Sequence, residues 1–404
     1  MPDYIIERHN KLIILLSLNG SYQGGAERRY INLFKYLQTI NAEEYYLLMN
    51  KSLYEECKKN FVFQSAKNII YIPVRYEQFN MNKTRSWIIP DKIHKLSKIF
   101  KFLGRRKYFL KLIISWIGFT INLLIIIRRF KIKTCYTIFI GGIWSWPLLK
   151  IKGINHIYSY NDSSASFLSK SLLDFFSSEY WVIKNATKID FLSPQVAANL
   201  ETKIGDINNV RKLFTPNSFV NYSEFFPIYP KNELLTFCSR ITKIKNPDLL
   251  LEACYNLKLK GIENFELSIV GDGDLVEDLK LFAAERKMSN VNFYGGTNKP
   301  QNVLDKSKIF ISIQPLNNYP SQSLLEAMAC CNAIIASDVG ETRRLVTENE
   351  GILVPLTAEK IADAIQFLLE HPKERERMGK NARQKVLKEH TIEKFADYFF
   401  SITE

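Results

Sequence analysis

The stretch 308–346, KIFISIQPLNNYPSQSLLEAMACCNAIIASDVGETRRLV, decides how the rest of the chain is read. It parses as strand, loop, helix, strand, loop, helix. The apolar run 309–313 has the length and β-branched content of a buried strand, and Gln314, Pro315, Asn317, Asn318, Tyr319 and Pro320 supply turn chemistry at its carboxyl end. Ser321 is placed to cap a helix whose apolar face is Leu324, Leu325 and Met328. The first amides of that helix, those of Gln322, Ser323 and Leu324, then point into the crevice as an anion site, with the Glu326 carboxylate nearby. A second short strand, 333–336, and a loop through Ser337, Asp338, Val339 and Gly340 lead to another helix. In an open α/β sheet both loops face one ligand, outside the carboxyl ends of the strands. An ordinary βα unit with solvated loops accounts for these residues equally well.

Outward from this stretch the same alternation continues. Toward the carboxyl terminus, 351–355 reads as a last strand, followed by amphipathic helices over 357–390. Upstream, 234–238 is a strand that ends in Ser239 and Arg240, and Lys245, Asn246, Pro247 and Asp248 precede a helix over 249–259. Another strand, 267–270, leads into Gly271-Asp272-Gly273-Asp274, and Phe293-Tyr294-Gly295-Gly296 closes a further one. Near the amino terminus KLIILLSL (11–18) is a first buried strand, then a glycine loop over 19–25 and a helix from Ala26 with Ile31, Leu33, Phe34 and Leu37 inward. This loop is not G-x-G-x-x-G and no P-loop lysine follows, so neither dinucleotide nor Walker chemistry is specified. Further strands are read at 45–49, 69–72, 136–140, 156–160 and 189–193.

A chain of 404 residues fits two domains, and 46% hydrophobic with 24% charged residues is a globular composition. The first apolar run, 12–16, is short and leads into the glycine loop, so no secretory signal is expected. The six cysteines, Cys57, Cys135, Cys238, Cys254, Cys330 and Cys331, form no C-x-x-C and have no histidine at ligand spacing. Buried thiols in a reducing cytoplasm, with no structural metal, are the expectation.

The net charge is +14, and twelve basic residues with no acidic one lie between Lys92 and Lys133, leaving +2 for the rest. The centre of that segment, 112–127, is uncharged; as a helix it measures about 24 Å, short of a hydrocarbon core of roughly 30 Å. An anionic membrane surface, a nucleic acid and a plain core helix with solvated flanks all compete for this segment. The reading adopted is a core helix with a membrane-facing basic surface and no nucleic acid.

SLLEAMA (323–329) resembles the donor-site signature of the retaining, nucleotide-sugar-dependent glycosyltransferases of the GT-B fold, family 4: a Glu, seven residues, then a second Glu followed by Ala-Met-Ala. Glu326 matches the second Glu, but Asn318 stands at the first. Gly24-Gly25-Ala26-Glu27 matches the family's Gly-Gly-x-Glu loop, Arg240 and Lys245 its pyrophosphate-holding Arg and Lys, and Gly271 and Tyr294 fall in family-like segments, the latter bordering the nucleobase. Asn161 occupies the place of a His that contacts the transferred sugar in many relatives. Cys331 stands where the family usually has the Gly that ends the helix, so a different helix terminus is expected, because Gly tolerates a left-handed conformation and Cys does not. The resemblance covers nearly the whole chain, strongest over 240–355 and weakest over 60–135.

The resemblance implies an α/β, GT-B architecture, two Rossmann-like parallel-sheet domains facing across a cleft. It places an acceptor-side domain at 1–215, a linker at 216–231, a donor-binding domain at 232–390, and at 391–404 a terminal helix crossing back, with Phe395, Tyr398 and Phe399 as packing residues. The implied function is transfer of a hexose, with retention, from a UDP- or GDP-linked sugar to a lipid-linked or oligosaccharide acceptor in surface-polysaccharide synthesis. Gly24, Gly25, Gly271, Tyr294, Asn318, Ser321, Gln322, Ser323, Leu324 and Glu326 would hold the donor, Glu326 through the ribose. Arg240 and Lys245 would stabilise the leaving diphosphate, and Asn318 and Asn161 would position the sugar. No metal and no cofactor are implied, since cations and helix amides neutralise the diphosphate. The expected location is cytoplasmic, peripheral on the inner face of the membrane. The two Asn departures motivate an alternative, a non-catalytic partner or scaffold for an active transferase; an oxidoreductase is disfavoured by the missing fingerprint.

Overall fold

The computed structural model describes residues 9–17, 25–63, 65–73, 94–161, 168, 178–215, 218–232, 234–297, 299–317, 319 and 321–404, with backbone only for Ala26 and 94–111. The chain divides into two compact units, 1–215 with 399–404, and 216–398.

The first unit runs β1 (Asn10–Leu15), α1 (Gly25–Thr39), β2 (Tyr45–Asn50), α2 (Lys51–Lys59), β3 (Ile69–Ile72), α3 (His94–Arg129) and β4 (Ile132–Ile138). It continues through α4 (Ile140–Ile151), β5 (Asn155–Tyr160), α5 (Glu179–Asn185), β6 (Lys188–Phe191), α6 (Pro194–Ile204) and β7 (Arg211–Phe214). The strands pair in parallel in the order β3-β2-β1-β4-β5-β6-β7. Leu12, Ile13, Ile14 and Leu15 are all buried, because helices cover both faces of the sheet and a strand inside it needs no polar side. Strand order reverses between β1 and β4. At that point Gly141 and Gly142 open α4; a Cβ on Gly141 would lie 2.7 Å from the Ile14 carbonyl oxygen and one on Gly142 2.4 Å from the Tyr158 ring. The helix is thus pulled against the sheet; it begins at Ile140, so the strand expected at 136–140 ends earlier, at Ile138.

The second unit contains β8 (Leu234–Cys238), α7 (Pro247–Leu259), β9 (Glu266–Val270), α8 (Val276–Glu285), β10 (Val291–Gly295), α9 (Gln301–Leu304) and β11 (Ile309–Ser312). After them come α10 (Gln322–Ala329), β12 (Ala333–Ser337), β13 (Gly351–Val354), α11 (Ala358–Glu370), α12 (Pro372–Glu389) and α13 (Ile392–Thr403). Its sheet is parallel in the order β10-β9-β8-β11-β12-β13, reversing between β8 and β11. Alternation along β11 assigns the layers: Ile309 and Ile311 join the core with Leu250, Ile361 and Ile365, whereas Phe310 joins Leu324, Met328, Ala382 and Val386 on the other face. Residues following the boundary are anchored in this unit, Val220 by a parallel bridge to Thr391, and Ile228 and Asn232 through amides given to the Asp305 and Lys306 carbonyls.

Four expectations are corrected. The loop after β12 leads to a single 3-10 turn, Thr342–Arg344, and not to a helix. Local bonds take up the backbone there: Thr342 gives its hydroxyl and amide to the Val339 carbonyl, and β13 follows within a few residues. Ser321 has the extended Ncap backbone, but its hydroxyl accepts no helix amide. Cys331 does adopt the left-handed conformation, with φ 57°. The Cys331 and Asn332 amides bond the Met328 and Ala327 carbonyls, the hydrogen-bond pair with which a glycine usually ends a helix. Finally, the apolar segment 112–127 belongs to a helix of 36 residues, and within that segment core and exposed positions alternate by face: Phe119 and Leu123 are buried while Ile114, Ile117, Ile121 and Ile125 are exposed.

The terminal helix contributes to both units. Phe395 packs on Phe219 at 4.9 Å within the second unit. Phe399 packs on Tyr136 at 4.9 Å and Tyr45 at 5.7 Å within the first, where Tyr45 also bonds the Thr403 hydroxyl at 2.7 Å.

Candidate functional site

In the second unit the loops at the carboxyl ends of β8, β9, β11 and β12 gather at the reversal of strand order, where a parallel sheet leaves a crevice. Gly271 (φ 136°) brings the loop after β9 against that after β8, a Cβ there lying only 1.8 Å from the Ser239 carbonyl oxygen. The Ile241 amide bonds the Asp272 carbonyl at 2.9 Å and completes the contact. Arg240 is exposed at the mouth, and Lys245 sits half-buried on a 3-10 turn that Asn246, itself left-handed at φ 51°, converts into α7. Ser239, Lys245, Gln314 and Ser323 line one shallow crevice. The Lys245 ammonium donates to Gln314 Oε1. Burial and then the positive charge of Arg240 push the Lys245 pKa down to about 8. Two neighbouring cations thus converge, one of them partly desolvated, which favours a bound anion.

The α10 end of this crevice is equally ordered. The Gln322 carboxamide accepts from the Ser218 hydroxyl at 2.7 Å, donates to the Phe219 carbonyl at 3.0 Å and reaches Glu326 Oε1 at 3.3 Å. Glu326 is buried, and Leu324 places its side chain in the core so that only its backbone belongs to the site. The adjoining loops are tied together by Asn317, whose Oδ1 accepts the amides of Tyr319 and Glu341, each at 3.2 Å. Arg344 lies over the Tyr319 ring at 4.8 Å, and Gly340 (φ 53°) passes so close that a Cβ would meet Asn317 at 2.6 Å. Tyr294, at the end of β10, is 62% exposed. Asn318 lies outside the described residues.

In the first unit Gly25 opens α1, and a Cβ there would meet no atom within 4 Å. Among the described residues nothing crowds this position, unlike Gly141 or Gly271. Gly24 lies outside the described residues. Glu27, one residue into the helix beyond Ala26, has its pKa raised by burial against hydrogen bonds from its own amide and from Ser17. Asn161 ends β5; its amide nitrogen donates to the Ser159 carbonyl at 3.3 Å and hydroxyl at 2.9 Å. A carbonyl oxygen only accepts, so this bond sets which way the carboxamide is turned. The Ser159 hydroxyl continues to Tyr30 at 2.7 Å, Tyr30 to Tyr136 at 2.9 Å, and Tyr136 donates to Asp190 at 2.6 Å. A buried hydroxyl chain, ending on a carboxylate, backs Asn161.

The structure places Lys245 and Ser323 on one crevice in the second unit, with Arg240 close enough to Lys245 to act on its charge. Sequence reasoning names Ser337 only as part of a loop and misses its role, the hydroxyl accepting the Gln314 amide at 3.2 Å and donating to the Gln314 carbonyl at 2.8 Å, as it misses the bonds of Gln314, Asn317 and Ser218. Their only sequence signal is polar residues at strand ends. Among the described residues no cluster of His, Cys, Asp and Glu suits a metal ion.

Two parallel-sheet Rossmann-like units with these loops define the GT-B class of fold. Residues 220–385 match the family described as glycosyl transferases group 1. Sucrose-phosphate synthase from Thermosynechococcus elongatus superposes with a TM-score of 0.68 at 16% identity, covering 98% of each chain. Anabaena HepE in complex with UDP gives 0.70 at 12% identity, over 97% of this chain and 98% of that one. A Campylobacter jejuni alpha-1,4-N-acetyl-D-galactosaminyltransferase, named for an undecaprenol-diphosphate-linked acceptor, is 25% identical over 183 residues, which are 44% of this chain and 50% of the relative. The curated relatives are matched over half of their length or less.

Proposed function

We propose that this protein is a family 4 glycosyltransferase that moves a hexose, with retained anomeric configuration, from a nucleoside diphosphate sugar to a lipid-linked or oligosaccharide acceptor. The observation that carries this reading is the convergence of Arg240, Lys245 and the α10 amino terminus at the reversal of the second sheet. As the glycosidic bond breaks, charge builds on the leaving diphosphate, and cations and amides already in place stabilise that state more than the bound donor. Lys245, with its depressed pKa, regains full protonation when the dianion binds. Glu326, oriented by Gln322, accepts from the ribose hydroxyls, and exposed Tyr294 borders the base. Gly25 and Asn161 of the first unit take donor-contacting roles by their place in the sequence, the Asn161 carboxamide being oriented by Ser159. Asn318 takes a positioning role by its place in the sequence. No metal is needed where these groups carry the charge. UDP is the favoured nucleotide, in keeping with its presence in the HepE complex, and surface-polysaccharide synthesis at the inner face of the cytoplasmic membrane is the setting.

Calorimetric titration with UDP, GDP, ADP and CMP tests the site. Wild-type protein is expected to bind one nucleotide selectively, and Arg240→Ala to weaken it by about ten- to a hundredfold, a charge-assisted contact of roughly 1.5 to 3 kcal/mol. Unchanged affinity in folded Arg240→Ala removes Arg240 from the site. Failure of every nucleotide to bind supports the second reading, a non-catalytic partner of an active transferase, which Asn161 and Asn318 favour.

A further inference from the structure

The long helix α3 carries an apolar face that the described residues of its own unit leave largely exposed. Ile114, Ile117, Ile121 and Ile125 are 61%, 46%, 54% and 55% exposed. At 100° per residue they fall within an arc of about 80°, a continuous stripe roughly 16 Å long. The opposite side is fixed to the sheet. Phe119, Leu123, Ile126 and Ile127 are in the core, the Trp116 indole donates to the Trp144 carbonyl at 3.0 Å, and Phe119 meets the Trp144 ring edge-on at 5.7 Å.

By length and composition Leu112–Arg129, with a mean hydropathy of 1.7, passes for a membrane span. The packing rules that out. Phe119, Leu123, Ile126 and Ile127 are packed in the core of the unit and the helix runs straight into the interior strand β4, so only one side of it is open to lipid. A stripe anchored from behind has one way to meet a bilayer, lying in its plane.

Charge selects the occupant. Exposed Arg128 and Arg129 end the helix, exposed Lys131 and Lys133 follow, and no acidic residue occurs between Lys92 and Lys133. A second copy of the chain would set these cations against one another without a carboxylate between them, whereas anionic headgroups match them. We propose that α3 lies in the plane of an anionic bilayer, with the four isoleucines immersed among the acyl chains and Arg128 and Arg129 at the level of the phosphates. This deepens the membrane setting proposed above. It also changes the expected salt response: attraction through surface charge alone is screened away, but immersed apolar area is not.

Vesicles of phosphatidylglycerol and phosphatidylcholine test this without any nucleotide, so the result stands apart from the transferase reading. Wild-type protein is expected to co-sediment with them and to remain bound at about 1 M NaCl, where the Debye length is near 3 Å. The combined substitution Ile117→Ser, Ile121→Ser and Ile125→Ser should lower vesicle affinity by at least about tenfold. Independently of that variant, Ile121→Trp should gain fluorescence that brominated lipid quenches. The proposal is overturned by absence of vesicle binding, by complete release in salt, or if brominated lipid leaves the added emission of the Ile121→Trp variant unquenched. It is equally overturned if the triple variant binds vesicles as well as wild type while sedimentation velocity shows it turned from dimer to monomer, which would make the stripe a subunit interface.

Discussion

Cys331 shows how tertiary bonds override a local preference. A left-handed residue with a Cβ costs about 1 kcal/mol relative to glycine. Here Lys231 donates to the carbonyls of Ser307, Cys330 and Cys331, and Arg383 donates to those of Ala329 and Phe225. The end of α10 is thereby clamped by two cations at the negative pole of the helix. Burial pushes the Lys231 pKa down to about 8, a measure of how deeply the clamp is set. Cys331→Gly is expected to raise stability by about 0.5–1 kcal/mol and Cys331→Val to lower it by about 1–2 kcal/mol, read from urea midpoints. The unusual residue is plain in the sequence. The conformation it takes is not, because the clamping groups lie about 50 and 100 positions away in the chain.

Among the loops, glycine has two different reasons to be present. Gly271 cannot carry a Cβ, both for its φ of 136° and for the Ser239 carbonyl beside it. Gly271→Ala is expected to destabilise the second unit by about 3 kcal/mol, visible as a lowered thermal midpoint. No described residue would crowd a Cβ at Gly25, so Gly25→Ala should leave stability within about 0.5 kcal/mol of wild type while weakening nucleotide binding in the calorimeter. In sequence both residues look alike, a glycine after an apolar run. Only the packed neighbours separate the glycine that builds the crevice from the one a ligand approaches. Helix α3 makes the same point. Its hydrophobicity was legible, but which of its isoleucines face the core depends on where α4 and β4 lie.

Across the molecule, each unit holds, among its described residues, one buried histidine whose pKa is depressed by burial. His156, bonded to Thr137 at 2.8 Å, is pushed down to about 3, and His390 to about 4. Both are neutral when folded, with an ordinary value of 6.5 when unfolded. Their contribution to stability is full above about pH 6.5 and is lost as pH falls toward the folded values, by up to about 1.4 kcal/mol per pH unit for each. Urea midpoints are expected to drop between about pH 7 and pH 5, and His390→Gln to flatten the dependence of the second unit. An unchanged slope in that variant would show that His390 is not the titrating group.

The sequence alone determined the class of architecture, because alternating buried strands and amphipathic helices have few ways to cover both faces of a parallel sheet. It also pointed to the loops at the second sheet's reversal, since Arg240 follows β8 closely and the carboxyl ends of parallel strands share one edge. Tertiary structure decided the rest. Gln314 as the partner of Lys245, Ser337 as the clamp on Gln314, Ser218 and Phe219 as the partners of Gln322 and the hydroxyl chain behind Asn161 join residues far apart in the chain, often small polar groups that read as turns or caps. Periodicity reports which side of an element is apolar. Which neighbour meets that side, and whether any does, is a property of the packed molecule, and that is why the exposed isoleucine stripe of α3 was visible only once the sheet behind it was in place.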